Sequence, residues 1–168
     1  MDQRVSLITL AVDDLDRART FYEAVGWEPT DVADGIVAFD LIDQTLCLYP
    51  RSDLARDMGV DVASLGTGGT TLACNVARAE DVQPVVERFR AAGGTVLRDA
   101  HEVFWGGTTS YVADPDGNVW EVAHNPFAPL GPAGAFRWHG FDEQGGPRPA
   151  PAPAAAPDPD PGPGPDAP

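Results

Sequence analysis

A lone carboxylate in the middle of an apolar strand is the group in this sequence whose chemistry most needs an explanation. Residues 103–126 read VFWGGTTSYVADPDGNVWEVAHNP. Thr108 to Ala113 alternates and is rich in Thr, Tyr and Val, as a strand should be. Asp114-Pro115-Asp116-Gly117 forms a turn: Pro115 presets φ, and Gly117 supplies the positive φ that a bulged hairpin needs. From Asn118 to Ala123 the strand resumes, with Val119, Glu121 and Ala123 on one face and Trp120 and Val122 on the other. A carboxylate at such a position is costly unless it has a partner or faces a polar cavity. Glu121 is therefore a pocket anion, a metal ligand, a general base or a carboxylate tied to an arginine.

Other side chains with chemistry lie close by in sequence. Tyr111 shares a face with Thr109 and Ala113, so its hydroxyl can donate to a ligand or to a backbone carbonyl. Phe104 and Trp105 precede that strand, where a loop aromatic serves as packing or as a platform for a ligand. His124 has the opposite parity to Glu121 and reads as a strand-end histidine, with a general base as the alternative. Cys47 and Cys74 both fall in predicted strands and are expected to be buried core thiols, since no CxxC or Cys/His metal spacing exists. No Ser-His-Asp order stands out, and the glycines at 66–69 and 106–107 lack the strand and Lys-Ser/Thr of a phosphate loop.

These groups have to be positioned by a scaffold, and the hydrophobic pattern gives one. Residues 4–12 form a strand with Ile8, Leu10 and Val12 on one side and Leu7, Thr9 and Ala11 on the other. A helix over 15–25 follows, capped by Asp13 or Asp14, with Leu15, Ala18, Phe21, Tyr22 and Val25 as its apolar stripe and Gly26 as its stop. Short strands are predicted at 27–30, 36–41 and 45–49. The connector 51–69 contains one short helix through Met58 that Ser52 would cap. The order then repeats: a strand at 70–76, a helix at about 79–92, and strands at 95–98, 108–113 and 118–123. Pro84 fits only in the helix's first turn, so that helix start is open by a turn. The pattern is an internal duplication of about 50 to 60 residues. The domain plan is a first module at 1–50, the connector at 51–69, a second module at 70–126, an irregular arm at 127–146, and a Pro/Ala/Gly-rich tail at 147–168 that is expected to be disordered.

Composition narrows the partners. The chain has 168 residues and a formal net charge of −15, with eleven basic residues, all arginine. That balance disfavours nucleic acid and anionic membranes. It favours a cationic ligand or simply a well-solvated acidic surface. There is no apolar run of membrane-spanning length and no secretory signal pattern, so a cytoplasmic location is expected.

The duplication, the Phe21-Tyr22 pair, Val12-Asp13-Asp14-Leu15, Ala113-Asp114-Pro115-Asp116-Gly117-Asn118 and Val119-Trp120-Glu121-Val122 together resemble the vicinal oxygen chelate superfamily. That family includes glyoxalase I, extradiol dioxygenases and bleomycin-resistance proteins. The resemblance spans residues 4–126. It implies an α+β fold in which two βαβββ modules make a curved mixed sheet with an inner cleft and helices outside, often in a dimer. Metal-dependent members place His, Glu or Gln at four inward positions; alignment to the family pattern puts Leu7, Cys47, Thr71 and Glu121 there. Glu121 is the one usual ligand among them, and His101, His124 and His139 all lie elsewhere. A divalent metal needs three or more such donors. The reading is a metal-free small-molecule binding protein without a cofactor, closest in kind to the bleomycin-resistance members and expected to be a homodimer. Its ligand residues would be Glu121, Trp105, Tyr111, Thr71, Leu7, Cys47 and Phe104, and no catalytic residue is assigned. The rivals are a metal-dependent lyase, isomerase or dioxygenase with an altered metal site, and a scaffold whose Pro-rich tail engages a partner.

Overall fold

The computed structural model describes residues 5–149 except 34, 43 and 68, and excluding the Ala33 side chain. The tail from 150 onward and the predicted turn residues 34 and 43 lie outside the described residues. In the first module β1 (Leu7–Val12) leads to α1 (Leu15–Ala24), then β2 (Asp31–Ala33), β3 (Ile36–Asp40) and β4 (Thr45–Pro50). A connector follows with α2 (Arg51–Met58) and a 3-10 turn at Val62–Ser64. The second module repeats the order: β5 (Thr71–Asn75), α3 (Val82–Ala91), β6 (Thr95–Glu102), β7 (Thr108–Ala113) and β8 (Val119–His124). The fold is α+β with two βαβββ modules.

Each module keeps its own four-stranded mixed sheet, ordered β1-β4-β3-β2 and β5-β8-β7-β6. The first and last strands of each module pair in parallel and the other pairs are antiparallel. This leaves β1 and β2 of the first sheet and β5 and β6 of the second as edge strands, each with one unpaired side.

Both sheets turn their apolar faces to one core. It joins Val12, Val37, Phe39, Leu46 and Leu48 of the first sheet to Val112, Trp120 and Val122 of the second, through Phe21 and Tyr22 of α1 and Val82, Val86 and Phe89 of α3. Phe21 meets Tyr22 and Phe89 edge-on at 5.2 and 5.6 Å between centroids, a preferred aromatic geometry. The apolar stripe of α1 forms as its spacing requires, and Asp14 caps the helix by accepting from the Arg17 amide.

Some local expectations need correction. Residues 27–30 are not a strand: Trp27 instead packs against Tyr22, Phe39 and Trp120, and the strand begins at Asp31. Tertiary burial of the indole overrides the local β pattern. Ser52 caps nothing, because α2 starts one residue earlier with Pro50 as a cap lacking a side-chain bond. Pro84 is the third residue of α3, after a 3-10 turn at Ala79–Asp81, so the helix starts late as its missing amide demands. Strand β6 runs on to Glu102 with two register shifts opposite β7. Of the two cysteines, Cys47 is buried but Cys74 is exposed, since its strand is an edge.

The segment after His124 is unevenly covered. Ala128 and Phe141 are buried, with the Phe141 ring lying against Gly131 so closely that a Cβ there would sit 2.7 Å from it. Phe127 and Trp138 remain largely exposed, at 68% and 80%.

Candidate functional site

The turn between β7 and β8 fixes the register of everything near Glu121. The Asp114 side chain is buried and accepts four hydrogen bonds: from the Asp116 and Asn118 amides at 2.9 and 2.8 Å, from Asn118 Nδ2 at 2.8 Å, and from Tyr22 Oη at 2.9 Å. Tyr22 Oη in turn accepts from Trp120 Nε1 at 3.1 Å. Burial, followed by the nearby Asp114 charge, pushes the Tyr22 hydroxyl well above its ordinary 10.0. Asp116 reaches across to the first module, where its Oδ1 accepts from the Asp13 amide at 2.8 Å and from Arg17 at 2.6 Å. Its Oδ2 is buried without a partner among the described residues.

With the turn pinned, β8 alternates as the sequence predicts. Trp120 and Val122 enter the core, while Glu121 faces the other way, level with Tyr111 on β7 and Ala73 on β5. Tyr111 Oη donates to Glu121 Oε1 at 3.3 Å. The Tyr111 hydroxyl is raised by burial first and by the Glu121 charge second, with Arg98, its register partner on β6, opposing. The tyrosine's partner is thus a side-chain carboxylate and not the backbone carbonyl considered from sequence.

Glu121 lines a cleft of about 980 Å³ between the modules. One wall is β5 and β8, with Ala73, Cys74 and Asn75 beside Glu121; Trp27, Leu41, Ile42 and Gln44 of the first module form another. The arm closes it with residues 133–138, and Trp105 stands at its side. Trp105 lies directly over Gly107, where a Cβ would come within 1.9 Å of the indole. The glycine makes the notch in which that ring sits. Although Cys74 is exposed on β5, the surrounding cleft wall partly desolvates its thiol and raises it above its ordinary 9.0, with Arg88 pulling the other way. A raised thiol is a weak nucleophile at neutral pH.

The predicted site residues divide in two. Glu121 and Trp105 line the cleft, Tyr111 touches Glu121, and Thr71 is one pleat along the same face. Leu7 and Cys47 lie together on the other sheet, Leu7 half exposed and Cys47 5% exposed, and neither lines this cleft. Phe104 points fully into solvent at 102% exposure. His124 directs Nδ1 at the Val76 carbonyl, 3.4 Å away. Sequence reasoning missed Asn75, Asn125 and the arm residues around Trp138. The density of aromatics in the arm was the available signal.

The donor chemistry does not fit a divalent metal. Among Leu7, Cys47, Thr71 and Glu121 there is one carboxylate, one buried thiol and one hydroxyl, and leucine offers no donor. No group of three His, Cys, Asp or Glu side chains suited to a metal exists among the described residues.

Comparison with known proteins gives a consistent lineage. The family model described as Glyoxalase/Bleomycin resistance protein/Dioxygenase superfamily matches residues 4–122. A glyoxalase-related enzyme from Fulvimarina pelagi is 39% identical, with a TM-score of 0.76 over 81% of this chain and 98% of that one. A lactoylglutathione lyase from Agrobacterium tumefaciens is 26% identical, with a TM-score of 0.58 over 74% of this chain and 96% of the other. A lactoylglutathione lyase of Arabidopsis thaliana is 31% identical over 128 residues, which make up 72% of this chain. The chain spans only 44% of that plant protein's length.

Proposed function

The chain belongs to the glyoxalase/bleomycin resistance protein/dioxygenase superfamily, and from that premise we propose that it binds a small molecule in its cleft without a metal. The ligand is held by aromatic stacking and by a cationic group set against Glu121. The observation that carries this reading is the environment of Glu121. Its carboxylate lies on the wall of a 980 Å³ cleft, braced by the Tyr111 hydroxyl at 3.3 Å, with Trp27, Trp105 and Trp138 around the same space. A carboxylate with one neutral donor keeps accepting capacity for a ligand, and indole faces attract cations.

Binding titrations with cationic aromatic compounds test it. Glu121→Gln is expected to keep the fold and to lose roughly 2–5 kcal/mol of affinity, as for a desolvated charge-assisted contact. Unchanged affinity would remove the proposed role of the charge.

Identity to a glyoxalase-related enzyme favours a second reading, a lyase, isomerase or dioxygenase with an altered metal site. Elemental analysis separates the two. Far less than one divalent metal per chain, and a melting temperature indifferent to chelator, are expected from the first reading. Stoichiometric zinc, nickel, manganese or iron, lost together with stability in Glu121→Gln, would establish the second.

The proposed unit is a homodimer. Its support is the pair of open edges at β1 and β5, where Leu7, Thr71 and Ala73 are exposed along unpaired backbone. Sedimentation at the monomer mass across micromolar concentrations would contradict it.

A further inference from the structure

Beside the cleft lies a second, smaller concavity that shares Trp105, Asn125 and Trp138 with it. It is an open concavity of about 440 Å³ lined by Trp105, Phe127 and Trp138, with His139 and Arg148 on its polar side. Two of those rings, Phe127 and Trp138, are among the most exposed apolar groups of the described structure. A soluble surface seldom leaves such aromatics clustered around a concavity without an occupant. Arg148 makes no ion pair with another described residue.

The chain itself supplies a matching segment. The described structure ends at Pro149, which lines this same cavity. The remaining residues, 150–168, therefore start at its rim. Within them Pro157-Asp158-Pro159-Asp160-Pro161 alternates proline with carboxylates, and the segment 150–168 has three acids and no base. Proline-rich stretches pre-organised in the polyproline II form dock onto grooves lined by aromatic rings, at small entropic cost. Carboxylates on such a stretch complement a guanidinium. Residues 150–156 leave a spacer that spans up to roughly 23 Å when extended, enough for the chain to turn back on the cavity where it begins.

We propose that residues 157–161 of the chain's own C-terminal tail dock in the Trp105/Phe127/Trp138 cavity, prolines on the rings and Asp158 and Asp160 toward Arg148. The tail acts in cis, because the link through Pro149 gives it a high effective concentration at the site. Trp105, Asn125 and Trp138 line both cavities, so the seated tail rests against the wall of the larger cleft. A cleft ligand and the seated tail meet at Trp105 and Trp138, so the docking is tested on the protein without added ligand.

A nitroxide placed by Gly162→Cys in a Cys74→Ser background tests it; Cys47 is buried, with its thiol raised by burial first and by the Asp40 charge second. The expected result is paramagnetic broadening of the Trp105 and Trp138 indole N–H signals, persisting when the labelled chain is diluted into unlabelled protein. Asp158→Asn with Asp160→Asn, or Arg148→Gln, is expected to remove most of that broadening, and high salt to weaken it. Trp138→Ala, at an exposed position, should remove it at Trp105 as well. Absence of broadening overturns the proposal. So does broadening that appears only between different chains, which would make the occupant a second copy's tail, and so does broadening indifferent to these substitutions.

Discussion

The two modules share one topology and differ in what they do with it. Their parallel strand pairs and their ten-residue helices match. Counted from the first helical residue, Tyr22 of α1 stands where Phe89 stands in α3, and both are buried. Only the tyrosine carries a hydroxyl, and that hydroxyl joins Trp120 to Asp114. The turn of the first module closes on itself: Thr45 Oγ1 donates to Asp40 Oδ1 and the Leu41 amide to the Gln44 carbonyl. The turn of the second module is completed by the other half of the chain, through Tyr22, the Asp13 amide and Arg17. Duplication preserved the shape, while the polar chemistry settled on one copy. The face carrying Glu121 and Tyr111 belongs to the second module, and the equivalent face of the first offers Leu7, Thr9 and Cys47.

The sharpest break of this comparison is the pair of turn aspartates. Asp114→Ala removes a buried charge that accepts four hydrogen bonds, and a loss of roughly 3–5 kcal/mol is expected. That corresponds to a fall of roughly 10 °C in melting temperature. Asp40→Ala, at the exposed turn of the first module, should cost a small fraction of this in the same urea titration. Equal losses would erase the asymmetry.

Tyr22→Phe comes next. It leaves Trp120 Nε1 and one Asp114 oxygen short of a partner, at about 1–2 kcal/mol near neutral pH. The hydroxyl ionises near 10.0 in the unfolded chain and higher in the folded one. Its proton is held more tightly by the folded state, so the contribution is whole below pH 10 and is lost as pH rises through the folded value. The wild type should therefore lose stability above pH 10 faster than Tyr22→Phe, and the two should converge. A gap that widens with pH would reverse the assignment.

The smallest effect concerns two arginines. Arg17 pairs with Asp116, whose side chain is fully covered, and Arg17→Ala should cost a few tenths to about 1 kcal/mol. Arg56, paired with Asp53 in the open on α2, should give no measurable change when truncated. Equal losses at the two positions would show that the Asp116 contact contributes no more than an exposed pair.

Much of this was legible in the sequence because it is periodic. The alternation through Val119, Trp120, Glu121 and Val122 and the stripe through Ala18, Phe21 and Tyr22 place these side chains on the faces where they are found. Asp114 and Gly117 announced the turn by its chemistry. What escaped depends on distant parts of the chain. Nothing local to Trp27 tells that its indole will be drawn into an aromatic cluster drawn from both modules. The Tyr111–Glu121 contact follows from register, which a single strand does not reveal. Cys74 looked like a core residue because its strand is apolar, and its exposure depends on β5 being an edge. The arm lacks any period, and only its density of aromatics hinted at its contribution to the cleft.

The bond from Tyr22 to Asp114 also constrains how this chain can change over evolutionary time. A duplicated pair begins as two interchangeable copies, each replaceable by the other. Once the turn of one copy is finished by the helix of its sibling, neither can be deleted, swapped or recombined alone without stranding a buried carboxylate. The later history of such a chain is then confined to its rims: the open edges, the loop bearing Trp105 and the C-terminal extension, where variation leaves that carboxylate untouched.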